Sequence, residues 1–162
     1  MAALAEARWL TEEKARALQE AARAKNVELS IYRITRAEEI VATVDKAHAS
    51  GATALNVLAS PTLDGNVRLI IERVAALRLP AMYMWGFDAA ERGGFIGYGP
   101  DIDHLTDLTA RFAASLLRGT MPADLPVEQP TKFELVINLQ TAKAMGVTVP
   151  AALLARADRV ME

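Results

Sequence analysis

Three short stretches carry residue types that could do chemistry. Ser60-Pro61-Thr62-Leu63-Asp64 places two hydroxyls and a carboxylate where an apolar run ends and a helix begins. The free N–H groups of such a helix start favour a carboxylate or phosphate, so this turn could receive an anion. Thr62 or Asp64 could equally be only the N-cap of that helix, and one residue can do both. In Trp85-Gly86-Phe87-Asp88, Gly86 lets the backbone approach a ligand closely and the two aromatics could form an apolar wall. The competing reading keeps Trp85 in the core and uses Gly86 merely to turn the chain. In Gly97-Tyr98-Gly99-Pro100-Asp101, glycines flank an aromatic ahead of a carboxylate that could cap the next helix.

Enzymatic chemistry finds little support. His48 falls near the C-terminal end of one expected helix and His104 in the first turn of another. Neither has a second ligand at zinc-binding spacing, so no metal site is expected. Gly93, Gly94, Gly97 and Gly99 do not form a G-x-G-x-x-G turn, and no G-x-S-x-G elbow, Walker A loop or cysteine nucleophile is present. Acidic pairs such as Glu12-Glu13 and Glu38-Glu39 lie on helix faces, where solvation is the ordinary reading. No catalytic residues and no cofactor are expected.

The bulk numbers fit one globular domain: 162 residues, 52% hydrophobic and 23% charged. A net charge of −2 gives no electrostatic footprint for nucleic acid. Zero cysteines exclude disulfides and thiolate metal sites. Met1–Arg8 has neither a basic n-region nor a sustained apolar h-region, so it does not read as a signal peptide.

The elements that must position these turns alternate between strand and helix. Thr11 caps a helix running to about Lys25, with Trp9 before it as a candidate hydrophobic staple. Strands are expected at 27–32, 54–60, 81–85 and 95–99. Helices are expected at 36–50 (buried stripe Ile40, Val44, Ala47), at 64–78 and from Asp101 or Asp103 to Arg118. Pro130 then leads into a strand with Phe133, Leu135 and Ile137 on one face. Asn138 is the N-cap of a short helix that Gly146 stops. The alternation indicates an α/β fold: a Rossmann-like parallel sheet with helices on both faces.

The run Pro122-Ala123-Asp124-Leu125-Pro126-Val127-Glu128-Gln129-Pro130-Thr131-Lys132, the strand and helix after it, and the closing Val149–Asp158 resemble the C-terminal signature of bacterial ABC-transporter substrate-binding proteins. Such proteins have the type I periplasmic binding fold, two Rossmann-like lobes joined by crossing segments. The resemblance implies that residues 1–162 are a single C-terminal lobe, with hinge segments near 95–100 and 131–139 and the first lobe largely missing. It implies a non-catalytic solute-binding component of an importer, a membrane permease as partner in intact relatives, and a periplasmic location. Some members take aromatic amino acids. Ser60, Thr62, Asp64, Trp85, Gly86, Tyr98 and Asp101 are then the ligand-binding candidates, with Asp101 matching a carboxylate that meets a ligand's ammonium.

The missing signal peptide makes a truncated gene product or an excised fragment the expectation. The strand normally preceding the helix at Thr11 also reads as missing. A sheet lacking a central strand would leave unpaired backbone groups, so a homodimer, with exchanged elements as one form of it, is expected to compensate. A structural or interaction module derived from such a lobe, with no ligand, is the alternative function.

Overall fold

The computed structural model describes residues 1–162. Its seven strands form one sheet in the order β2-β1-β3-β4-β5-β6-β7. They are β1 (Ala2–Glu6), β2 (Ser30–Ile34), β3 (Leu55–Val57), β4 (Ala81–Tyr83), β5 (Ile96–Pro100), β6 (Phe133–Asn138) and β7 (Arg159–Met161). The helices are α1 (Glu12–Ala24), α2 (Ile40–Ala49), α3 (Pro61–Gly65), α4 (Val67–Ala76), α5 (Gly86–Ala90), α6 (Ile102–Leu117), α7 (Leu139–Met145) and α8 (Ala151–Leu154). No helix is long and apolar enough to cross a membrane.

The strand expected to be missing is present, and it is central. β1 pairs in parallel with β2 from Ala2↔Ser30 to Glu6↔Ile34 and with β3 from Ala2↔Leu55 to Leu4↔Val57. All five of its residues are buried. Ala2 and Leu4 join the core under α2 and α4, whereas Ala5 packs with Leu10 and Ala15 beneath α1. Alanine and leucine favour helix when judged locally, so nothing in Ala2–Ala5 marks a strand. Burial between two helical layers overrides that preference, because small side chains let α1 approach the sheet. The sheet therefore has no gap, and the argument for an exchanged dimer built on one falls away.

The register continues across the sheet and assigns its faces. Ala81 and Tyr83 share the α2/α4 core with Leu55 and Val57. Ile137 faces the other way and packs with Phe95, Ala142 and Met145, so α7 and α8 lie on the α1 face. β1 to β5 run parallel, β6 runs antiparallel to β5, and β7 runs parallel to β6. The reversal has a topological cause. The chain leaves over the carboxyl edge at Pro100, makes α6 and an extended connector, and comes back at the same edge, so the next strand must run down.

Local signals account for most boundaries. Thr11 and Asn138 cap α1 and α7 by accepting from Lys14 N–H (3.3 Å) and Thr141 N–H (3.0 Å). Gly146 ends α7 in the left-handed region at φ 74°. Ile40, Val44 and Ala47 are buried as expected. The helix expected at 64–78 is instead two: α3 begins at Pro61, and the chain kinks at Asn66 (φ −116°, ψ 18°) before α4. Its cap is Ser60, whose Oγ accepts from Leu63 N–H at 3.1 Å, and not Thr62 or Asp64.

Candidate functional site

Parallel strands deliver their following turns to a single edge, where α/β sheets bind ligands. Here that edge gathers the ends of β1, β3, β4 and β5. Because β6 and β7 run the opposite way, it also gathers their starts, Phe133 and Arg159. The seven residues singled out from the sequence all lie there, in two groups.

Ser60, Thr62, Asp64, Trp85 and Gly86 make the first group. Ser60 is 4% exposed, and its Oγ accepts the α3 cap bond from Leu63 N–H, which leaves its O–H free to donate. Burial pushes the Asp64 carboxyl up, and the Trp85 indole beside it and the nearby Arg92 partly oppose that. The Trp85 and Phe87 rings are stacked, 6.2 Å apart and 8° from parallel. Arg92 lies over Phe87 at 4.8 Å and bonds the buried Asp88 at 2.9 Å. Burial raises the Asp88 carboxyl as well, with Arg92 opposing. Gly86 meets β6 closely: a Cβ there would strike the Val136 and Glu134 side chains.

Tyr98 and Asp101 make the second group. Strand alternation turns Tyr98 to the face opposite Gly97, and its half-exposed ring stacks on Phe133 at 6.1 Å. It therefore shares no wall with Trp85. Asp101 caps α6 by accepting from His104 N–H at 3.0 Å and pairs with Lys132 Nζ at 2.5 Å. The Lys132 contact and the cap hold its carboxyl below the ordinary range, and Lys132 is raised in turn. A cavity of about 520 Å³ opens beside this pair, lined by Phe87, Asp101, Lys132, Phe133, Glu134 and Arg159 among others. Burial, then the neighbouring Asp101, raises Glu134.

Glu6 was missed along with its strand. It ends β1, is 4% exposed, and binds Arg8 Nε through Oε1 at 2.6 Å. Burial acts to raise its carboxyl, but the Thr62 and Ser60 hydroxyls and Arg8 outweigh it and lower the net value. Oε2 is buried with no partner in hydrogen-bonding geometry. Recognising Ala2–Glu6 as a strand was the one route to it from sequence. Trp9, expected as a staple, is 47% exposed. With Glu6, Leu10, Leu18, Leu58 and Ala59 it lines a largely apolar cavity of about 430 Å³ beside α1. No group of three or more His, Asp or Glu side chains is arranged to hold a metal ion.

Solved structures share this fold. A conserved domain protein from Vibrio cholerae is 23% identical with a TM-score of 0.81, matching 98% of this chain and 54% of its own. An ABC domain in complex with L-Trp from Streptococcus pneumoniae is 22% identical with a TM-score of 0.81, matching 99% and 55%. A ligand-free, open substrate binding protein with adhesive properties from Clostridium difficile is 16% identical with a TM-score of 0.64, matching 99% and 54%. The chain thus spans about half the length of these structures. No curated protein matches it. Residues 9–161 fit the family model described as ABC transporter substrate binding protein, which leaves out only β1 and the turn after it at one end and Glu162 at the other, and the chain belongs to that family.

Proposed function

We propose that this chain is the C-terminal lobe of an extracytoplasmic solute receptor that delivers a small molecule, such as an amino acid, to a membrane permease without transforming it. The observation that carries this reading is the gathering of all seven candidate residues on one carboxyl edge of a chain in this family. In this reading Ser60, Thr62, Asp64, Trp85 and Gly86 face the solute and Tyr98 lines the far side. Asp101 with Lys132 pins the crossing strands. Residues 95–100 and 131–139 act as hinge segments toward a first lobe, closure buries the solute, and the closed shape is what the permease reads. The neighbour with bound L-Trp supports an amino acid as the class of ligand.

One wall of a cleft gives up much of the contact area that fixes a small ligand, so the lobe alone binds weakly. Calorimetric titration with the common L-amino acids tests this. Millimolar affinity for one of them is expected, and heat-silent titration across the panel overturns the reading.

A second reading, a dimerising interaction module without a ligand, draws on α6. Leu108 is its one buried residue, while Ile102, Leu116 and Leu117 are exposed. A chain that sediments as a monomer at micromolar concentration excludes this reading.

A further inference from the structure

Both oxygens of Asp101 are engaged, one by His104 N–H and the other by Lys132. A second carboxylate on the same edge is held far less completely. Glu6 Oε1 pairs with Arg8, whose side chain is 66% exposed, and Oε2 is buried with no partner in hydrogen-bonding geometry, although the Thr62 and Ser60 hydroxyls lie close enough to stabilise the carboxylate. The Arg8 guanidinium that meets Oε1 also lies over the Trp9 ring, 5.4 Å from its centre. An anion and an aromatic face therefore converge on one cation position, and a side chain of the same loop occupies it. Carboxylate plus ring face is the pair of features that binds an alkylammonium. Glu6 and Trp9 also line the 430 Å³ cavity whose other walls include Leu10, Leu18 and Leu58.

We propose that Glu6 receives the ammonium of a hydrophobic α-amino acid, that Arg8 is an internal placeholder which leaves Glu6 and turns to the ligand's carboxylate, and that the ligand's side chain enters the cavity beside Trp9. This inference rests on the solute-binding reading above and names its ammonium pole. Exchange of one cation for another keeps the buried carboxylate paired throughout, which avoids stranding an uncompensated charge. Arg8 is held from the solvent side, where an ion pair is weak and readily given up. The cavity is apolar and of a size that suits a small organic ligand. A free zwitterion with an aliphatic or aromatic side chain matches all three parts: anion, displaced cation and apolar wall.

The two tryptophans make the test direct, because Trp9 lies at this corner and Trp85 in the group around Asp64. In the ¹⁵N-labelled full chain each indole N–H gives its own signal. Titration with L-leucine is expected to shift the Trp9 signal, whereas 4-methylpentanoate, which lacks the ammonium, leaves it in place. E6Q weakens leucine binding about ten- to hundredfold, the loss expected for one charge-assisted contact. E12Q removes the same charge from an exposed side chain nearby and leaves affinity unchanged. R8Q keeps Glu6 and removes the placeholder, so isoamylamine, which lacks the carboxylate, comes to bind as well as leucine. A Trp85 shift without a Trp9 shift, or unchanged leucine affinity in E6Q, overturns the inference and leaves the solute-binding reading standing. Silence of both indoles with every amino acid overturns the two together.

Discussion

Asp101 Oδ2 lies 2.5 Å from Lys132 Nζ, a contact that ties the residue just after β5 to the residue just before β6, where the chain leaves and re-enters the sheet. The folded Asp101 value is below its unfolded value near 4, so its contribution is complete above about pH 4 and is lost as pH falls through the lowered value. Lys132 is raised above its unfolded value, so its share is complete below about pH 10.4 and is lost as pH climbs through the raised one. Thermal melts across the acid limb should fall less steeply in K132M than in the native chain. Equal slopes would show that the pair does not couple to folding.

The central position of β1 makes Leu4, 1% exposed, a strong stability probe. Leu4→Ala should destabilise the chain by about 2–5 kcal/mol in urea denaturation, the range for a cavity left by a buried leucine. Leu117→Ala, at a residue 89% exposed, should change stability by no more than about 0.5 kcal/mol. Comparable midpoints for the two variants would mean that β1 is not part of the core.

Gly97 adopts ordinary extended backbone, so its role is room and not an unusual dihedral angle. A Cβ there would press on the Trp85 carbonyl and the Gly86 Cα, the backbone of the β4–α5 turn. Gly97→Ala should therefore cost about 1–3 kcal/mol, the usual price of overpacking, and broaden the amide signals of 85–87. Unaltered stability would place the need for glycine elsewhere.

Ser60 caps α3 from a buried position. Ser60→Ala should cost about 1 kcal/mol. Thr62→Ala, which removes no cap, should be milder in the same denaturation series. The reverse order would return the cap to Thr62.

Much of this fold was legible because periodicity and punctuation agreed. Ile40, Val44 and Ala47 marked a buried stripe, and Asn138 and Gly146 bounded α7. The apolar runs ending at Ser60 and Trp85 pointed to one edge. What escaped was whatever depends on distant neighbours. Ala2–Ala5 carries no strand signal without the layers that bury it, and with β1 went Glu6. Gly86–Ala90 is a helix of one turn, too short for periodicity, and reads as a turn. The glycines around Tyr98 fall in the expected hinge segment 95–100, and nothing in the local sequence reveals that Gly97 and Gly99 make room for the close passage of Trp85 and Met84. Asp101 looked free for a ligand because nothing in its local sequence reveals Lys132 as its partner.

Pro100 and Phe133 face one another across adjacent strands, so the stretch 101–132 starts and finishes at nearly the same point. It is a cassette plugged into a hairpin. A tight two-residue turn could replace it with the sheet otherwise undisturbed, which would yield a minimal lobe onto which other inserts could be grafted.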